Sequence, residues 1–310
     1  MKIPIEELPP RIILSRKGSD SAWGGQSSLL INETKLISLP IPESSKLFPP
    51  GKDAENHLRY ENLPEHQEIG AFSKHLPKVS ASTFVHLDPD IRPELRSENA
   101  NCDELLFGQT GKAQSHLENH GVGRESLFLF FGWFQSAEYI AGEWKRMPPN
   151  EHIIWGWFQV EDIFPVENRE QAAAVVAKLK CAKHHPHVSD WERYGAKNRL
   201  YRAKKSLSFA PELPGAGVFD WREPLTLTER CTKETTRRNW CVPAVLAKTG
   251  LTHHRIRENH VSCTSSPERV HFKSACIGQE FVMPAENRDF TPDERGEIAL
   301  WLQQIFGGVK

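Results

Sequence analysis

Leu127-Phe128-Leu129-Phe130-Phe131-Gly132-Trp133-Phe134 is the most apolar stretch of the chain, and its reading decides the fold. It reads as a buried strand in which Gly132 allows a bend or bulge. A matching run, Ile153-Ile154-Trp155-Gly156-Trp157-Phe158-Gln159-Val160, supplies a partner strand. Strand periodicity aims Trp155 and Trp157 at one face, and Phe131 and Trp133 at one face. Such aromatic walls either fill a core between sheet and helix or sandwich a nucleobase, with Trp133 or Trp155 stacking on it.

Outward from this pair, Arg11-Ile12-Ile13-Leu14-Ser15 is apolar but too short for a helix. Further strands are expected over 36–41, 83–87, 199–201 and 280–283. The segment 43–62 reads as a polar surface loop, and Lys183 to His187 as another. Helices are expected over 114–119 and over 169–179, the latter capped by Asn168 with Gln171 at the reciprocal position. The last helix begins with Thr291 as cap, Pro292 in the first turn and Glu294 completing a capping box. Its stripe of Ile298, Trp301, Leu302 and Ile305 runs to Gly307-Gly308. Strands outnumber helices without alternating regularly with them. The expected class is therefore α+β, a mixed or largely antiparallel sheet core with a few flanking helices. Residues 11–310 read as a single domain, with a subdivision marked near the turn-rich stretch 211–217.

The chain has 310 residues with 39 Lys plus Arg against 40 Asp plus Glu, a net charge of -1. That balance argues against a protein that coats duplex by counterion release. No window approaches the roughly 18–20 apolar residues of a membrane span. The start of the sequence carries no apolar signal region, so a cytoplasmic setting is expected. Six cysteines stand without a CxxC pair, which points to buried, reduced thiols rather than a disulfide framework.

Three polar constellations carry the chemistry. In His86-Leu87-Asp88-Pro89-Asp90, strand geometry sends His86 and Asp88 to one face, and Pro89 keeps Asp90 close. One imidazole and two carboxylates suit proton transfer or a divalent metal, with Asp88 and Asp90 as its carboxylate ligands. In Arg16-Lys17-Gly18-Ser19-Asp20, two cations and a glycine after a strand suit a phosphate, with Asp20 a carboxylate beside them. Gln279 and Glu280 place an amide and a carboxylate at a strand start, suited to base recognition or to a turn. His116 and His120 stand at i, i+4, but Leu117 occupies the place where a zincin has its glutamate, which disfavours a zinc protease. Neither GxSxG nor GxGxxG occurs.

Taken in order, these segments resemble a known family. They are Leu14-Ser15-Arg16-Lys17-Gly18 with Asp20, Ser38 to Pro42, His86 to Asp90, Phe107-Gly108-Gln109, His116-Leu117 and Gly121-Val122. The two apolar strands, His185-Pro186-His187, Asn198-Arg199-Leu200-Tyr201 and Gly278 to Val282 complete the set. Together they look like the third of the nucleotide-modification-associated domains, over about residues 11–306. The chain departs from the pattern at Ser19, where an aromatic is usual, and at Ser126, where an acid is usual. The resemblance implies an α+β domain in the company of enzymes that hypermodify DNA bases, without specifying the reaction. It adds His187, Asn198 and Tyr201 to the substrate-contacting positions. The leading expectation is an enzyme acting on a nucleotide or a flipped DNA base, working with other DNA-modification proteins. Arg16 and Lys17 would hold phosphate, and Asp20, His86, Asp88 and Asp90 would supply acid, base or metal ligands. The alternative is a non-catalytic reader of modified bases, built on a PUA-like barrel portion that would include the two aromatic strands.

Overall fold

In the computed structural model the apolar run lies at the centre of a nine-stranded mixed sheet. The described residues are 2–21, 24–43, 58–64, 80–95, 102–230, 236–248, 251–252, 269–273, 280–284 and 290–309. The strands are β1 (Ile12–Arg16), β2 (Ser28–Ile31), β3 (Lys35–Ile37), β4 (Ile41–Glu43) and β5 (Phe84–His86). Next come β6 (Leu106–Gln109), β7 (Leu127–Ile140), β8 (Glu143–Pro165), β9 (Arg199–Ala203) and β10 (Ser206–Leu207). The rest are β11 (Ala210–Pro214), β12 (Ala216–Val218), β13 (Asn239–Pro243), β14 (Arg269–Lys273) and β15 (Glu280–Met283). The helices are α1 (Gly111–Asn119), α2 (Arg169–Lys178), α3 (Pro186–Ser189), α4 (Trp191–Tyr194), α5 (Ala244–Lys248) and α6 (Pro292–Phe306).

The main path runs β15-β1-β7-β8-β9-β6, with β2 and β12 attached to β7 and β8. β1 is parallel to β7 and antiparallel to β15, and every other neighbour on the path is antiparallel. The path curls: Phe107 of β6 packs on Phe128 and Phe130 of β7, at 5.1 and 5.2 Å between ring centres. Its two ends meet through side chains, where Gln109 of β6 donates to Glu280 of β15 at 2.5 Å. Among the described residues no backbone pairing closes the curl into a barrel. The class is α+β, as the alternation pattern implied.

Two aromatic layers flank the sheet. On the concave side lie Phe107, Phe128, Phe130, Phe158 and Tyr201. On the other, Phe131 packs on His152, Trp240 and Phe281. Helix α6 covers that second side further along, Phe306 meeting Trp157 and Phe219. Thr291 and Glu294 form the expected capping box, and Ile298, Trp301, Leu302 and Ile305 are all buried. Each such side chain contributes roughly 1.5–3 kcal/mol by leaving water.

Several local expectations change. Gly132 does not bulge. Instead Phe130 pairs with Gly156 and Phe131 with Ile154, so Trp155 is the extra residue of a bulge on β8. The bulge breaks the alternation, and Trp155 stacks on Phe130 while Trp157 turns to the opposite side. Gly132 serves close approach, since a Cβ there would come within 2.9 Å of the Lys17 carbonyl. Residues 36–41 divide between β3 and β4 rather than forming one strand. Lys183 to His187 is not one loop: a 3-10 turn over Lys180–His184 leads through an extended His185 into α3, with Pro186 in its first turn. Of the segment 43–62, Glu43 ends β4 and Tyr60 is buried in a 3-10 turn; residues 44–57 lie outside the described residues. The stretch 211–217 lies in β11 and β12, and β12 pairs with Gly156 to Phe158 of the main sheet.

The thiol expectation is overturned for one pair. Cys102 and Cys181 form a disulfide with Cα atoms 5.6 Å apart, because β6 and the turn after α2 bring them together. Cysteine usage therefore does not support a reducing setting. The bridge ties the approach to β6 to the turn that leads into α3. Cys241 is buried.

Candidate functional site

Asp88 leaves the end of β5 and is buried where β1, β6 and α3 converge at the mouth of the curl. One carboxylate oxygen, Oδ1, accepts the Gly108 N–H at 2.6 Å and lies 3.5 Å from His185 Nε2. The other, Oδ2, faces Lys17 Nζ at 4.0 Å, His86 Nε2 at 4.0 Å and His187 Nε2 at 3.8 Å. Burial opposes its charge. The His185 imidazole and Lys17 outweigh that and hold the carboxyl well below the usual carboxylate range.

Hydrogen-bond accounting fixes how the imidazoles point. Asn198 Nδ2 donates to the carbonyls of Val166 and His187, so its Oδ1 is an acceptor for His187 Nδ1 at 2.7 Å. His187 therefore carries its proton on Nδ1 and turns the Nε2 lone pair toward Asp88. Burial lowers its pKa to about 3, against the opposing pull of Asp88, so the ring is neutral at pH 7. Tyr194 stacks on it at 4.0 Å. His86 Nδ1 lies 2.7 Å from Glu43 Oε1, which also accepts from Arg193 at 3.1 Å. Burial pushes the Glu43 carboxyl up, but His86 and Arg193 prevail and lower it. His185 Nδ1 accepts the backbone N–H of His187 at 3.3 Å, which leaves its protonated Nε2 toward Asp88.

On the β15 side of Lys17 lies Glu280, buried, accepting from Ser15 at 3.1 Å and from Gln109. Burial pushes its carboxyl up, with Lys17, Ser15 and Gln109 opposing. Four buried polar atoms around the centre have no hydrogen-bond partner among the described residues: Trp155 Nε1, His185 Nε2, the Tyr194 hydroxyl and Glu280 Oε2. A hollow beside Asp88, bounded by Gly18, His86, Pro89 and Trp155, has a volume of about 30 Å³. That is room for a water or an ion and not for a base. The His86, Asp88 and His187 ligand atoms all lie within 4.8 Å of one another, a group able to hold a cation.

The early cationic turn and the His-Leu-Asp-Pro corner thus share one site, through Lys17 and Gly18. Lys17, His86, Asp88, His187, Asn198, Glu280 and Trp155 are gathered there. Tyr201 lies behind it, stacked on Phe107 and donating to Gln114 at 2.8 Å. Other expected residues are elsewhere. Arg16, next to Lys17, leaves the other face of the sheet and lies 3.8 Å from Asp20. Arg237, which feels both charges, covers the Trp133 ring at 4.1 Å, so that indole face is already occupied. Asp90 is buried, its backbone bridging Leu106, and its carboxylate is not in the group around Asp88. Gln279 lies outside the described residues. A larger hollow of about 240 Å³ lies on the α6 side between Glu223, Cys241, Trp301 and Gln304, remote from this chemistry.

Glu43, Arg193 and Tyr194 were not singled out from sequence, and His185 was quoted only within the His185-Pro186-His187 triplet, with the role given to His187. Glu43 had no local signal, since it stands in a polar stretch and acquires its role only by pairing with β5. The family model described as Nucleotide modification associated domain 3 matches residues 11–284. No curated protein and no solved structure matches the chain.

Proposed function

Because the chain belongs to the nucleotide modification associated domain 3 family, a membership that ties it to nucleotide modification, we propose that it is an enzyme acting on a nucleotide or DNA base at the Asp88 centre. The observation that carries this reading is the buried Asp88, ringed by His86, His185, His187 and Lys17 and bordered by polar atoms left without partners. Buried donors and acceptors that the protein does not satisfy are costly, roughly 1–3 kcal/mol each, and a ligand would recover that cost.

In this reading Lys17 faces a phosphate or a developing negative charge at the mouth of the curl. His187, held neutral, is a base or ligand rather than a cation. Trp155 contacts the substrate through its free N–H, in place of the stacking role given to Trp133. The small hollow admits the reacting atom while the rest of the nucleotide stays outside it. Arg16 and Asp20 support the loop from the opposite face. The expected setting is cytoplasmic, on DNA, alongside other DNA-modification proteins.

The test is nucleoside mass spectrometry on DNA from cells carrying the wild-type gene, no gene, or Asp88→Asn. A mass-shifted nucleoside should appear with wild type and vanish in the other two. Identical profiles in all three would refute the enzyme reading. Retained nucleotide affinity in Asp88→Asn alongside such profiles would leave a reader of modified bases.

A further inference from the structure

We propose that His86 Nε2, Asp88 Oδ2 and His187 Nε2 form a two-histidine, one-carboxylate centre for a divalent first-row transition-metal ion. The argument rests on lone pairs. With its Nδ1 proton given to Asn198, His187 can offer only an acceptor at Nε2, and that acceptor faces a carboxylate oxygen 3.8 Å away. His86, with Nδ1 against Glu43, turns Nε2 to the same oxygen from 4.0 Å. An acceptor turned toward a carboxylate oxygen is repulsive unless a cation lies between them.

Lys17 is the nearest cation, yet it stands 4.0 Å from Asp88 and also faces the unsatisfied Glu280. It can lean toward Glu280 when Asp88 is otherwise neutralised. Ligand atoms bound at about 2.0–2.2 Å lie about 3.0–3.6 Å apart around one ion, so the three groups, now within 4.8 Å of one another, need to close by up to about 1–2 Å. Asp88 Oδ1 is held independently by Gly108 and lies beside His185, which leaves Oδ2 for the metal. Asn198 and Glu43 are the outer partners that orient ligating imidazoles. Two imidazoles with one carboxylate favour a transition ion over magnesium, and leave open positions toward the hollow beside Trp155.

The inference deepens the proposed function and rests on it only for what is done to the nucleotide. The metal test is accordingly run without nucleotide. Full-length protein stripped with chelator is titrated with Co²⁺, and visible ligand-field absorption is followed. One ion per chain is expected, with Mg²⁺ giving no competition at equal concentration. His187→Gln should abolish the bands, and His86→Ala should weaken binding by at least about tenfold. His116→Ala, which alters the other paired histidines, should leave binding unchanged. Absence of bands in the wild type, bands that survive both His86→Ala and His187→Gln, bands lost in His116→Ala, or equal competition by Mg²⁺ would each overturn the proposal. If His187→Gln fails to fold by circular dichroism, His86→Ala decides alone, since that side chain is less buried at 13% exposure. Cobalt bound as expected with an unchanged nucleoside profile in cells would defeat the functional reading and leave the metal site standing.

Discussion

Gly108→Ala tests how the centre is assembled. A Cβ on Gly108 would come within 2.7 Å of His187 Nε2 and closer still to Cγ and Cδ2. Ordinary contact needs about 3.4 Å or more, and the His187 ring cannot slide freely. It is buried, bonded to Asn198 on one side and stacked on Tyr194 on the other. Overpacking of this kind costs about 1–3 kcal/mol. Tearing His187 from Asn198 leaves buried polar groups unmet and adds about 1–3 kcal/mol. Removing a glycine from a strand returns about 0.4–1 kcal/mol through the unfolded chain. The expected net loss is therefore about 1–5 kcal/mol by urea denaturation, with cobalt binding weakened in parallel. The decisive measurement is the same substitution in a His187→Ala background, where the obstructing ring is gone. There Gly108→Ala should be neutral or slightly stabilising, a coupling of at least about 1 kcal/mol. Equal destabilisation in both backgrounds would refute the steric account of Gly108.

Two further predictions concern stability. His152 is buried and accepts the Trp240 indole N–H at 3.0 Å; burial, together with Arg16, Arg237 and Arg238, drives its pKa well below the usual value. The unfolded chain thus takes up the proton first, so this contribution is complete above about pH 6.5 and drains as pH falls, by about 1.4 kcal/mol per unit. Urea midpoints compared at pH 7.5 and 5.5 should show a steeper decline in wild type than in His152→Gln; equal declines would contradict the assignment. For the disulfide, the sequence separation of 79 gives a loop-closure contribution of up to about 4.5 kcal/mol. Reductant should lower the wild-type midpoint and leave a Cys102→Ser, Cys181→Ser double variant unaffected, whereas a wild type indifferent to reductant would show that the bridge does not form.

Much of the sheet was legible because its strands are short apolar runs with turn residues at their ends. β15 and the capping box of α6 emerge at the expected positions, since both depend on local chemistry. The bulge at Trp155 was not legible: nothing in Trp155-Gly156-Trp157 says which strand of the pair carries the extra residue, so the two indoles were placed on one face. The 3-10 turn over Lys180–His184 was missed for a similar reason, its form being set by packing against α2 and α3 rather than by propensity. At the site, the meeting of Lys17 with Asp88 was the premise of the enzyme reading, since no spacing in the sequence dictates it. The roles of His185 and Glu43 were not legible, because they arise only where segments distant in sequence cross. The disulfide was missed because Cys102 and Cys181 share no motif and meet only through tertiary folding.

Arg16 and Lys17 are consecutive, and the pleat of β1 delivers one charge to each side of the sheet. A slip of β1 by one residue would therefore exchange a flat guanidinium for the ammonium beside the histidines and strand the ammonium against Asp20. The strand is hemmed by β7 on one edge and β15 on the other, so such a slip must break both ladders together. Identity of charge on each face is thus a matter of alignment as much as of composition. Insertions or deletions in the few residues before Ile12 should consequently be absorbed there, leaving both polar clusters in place.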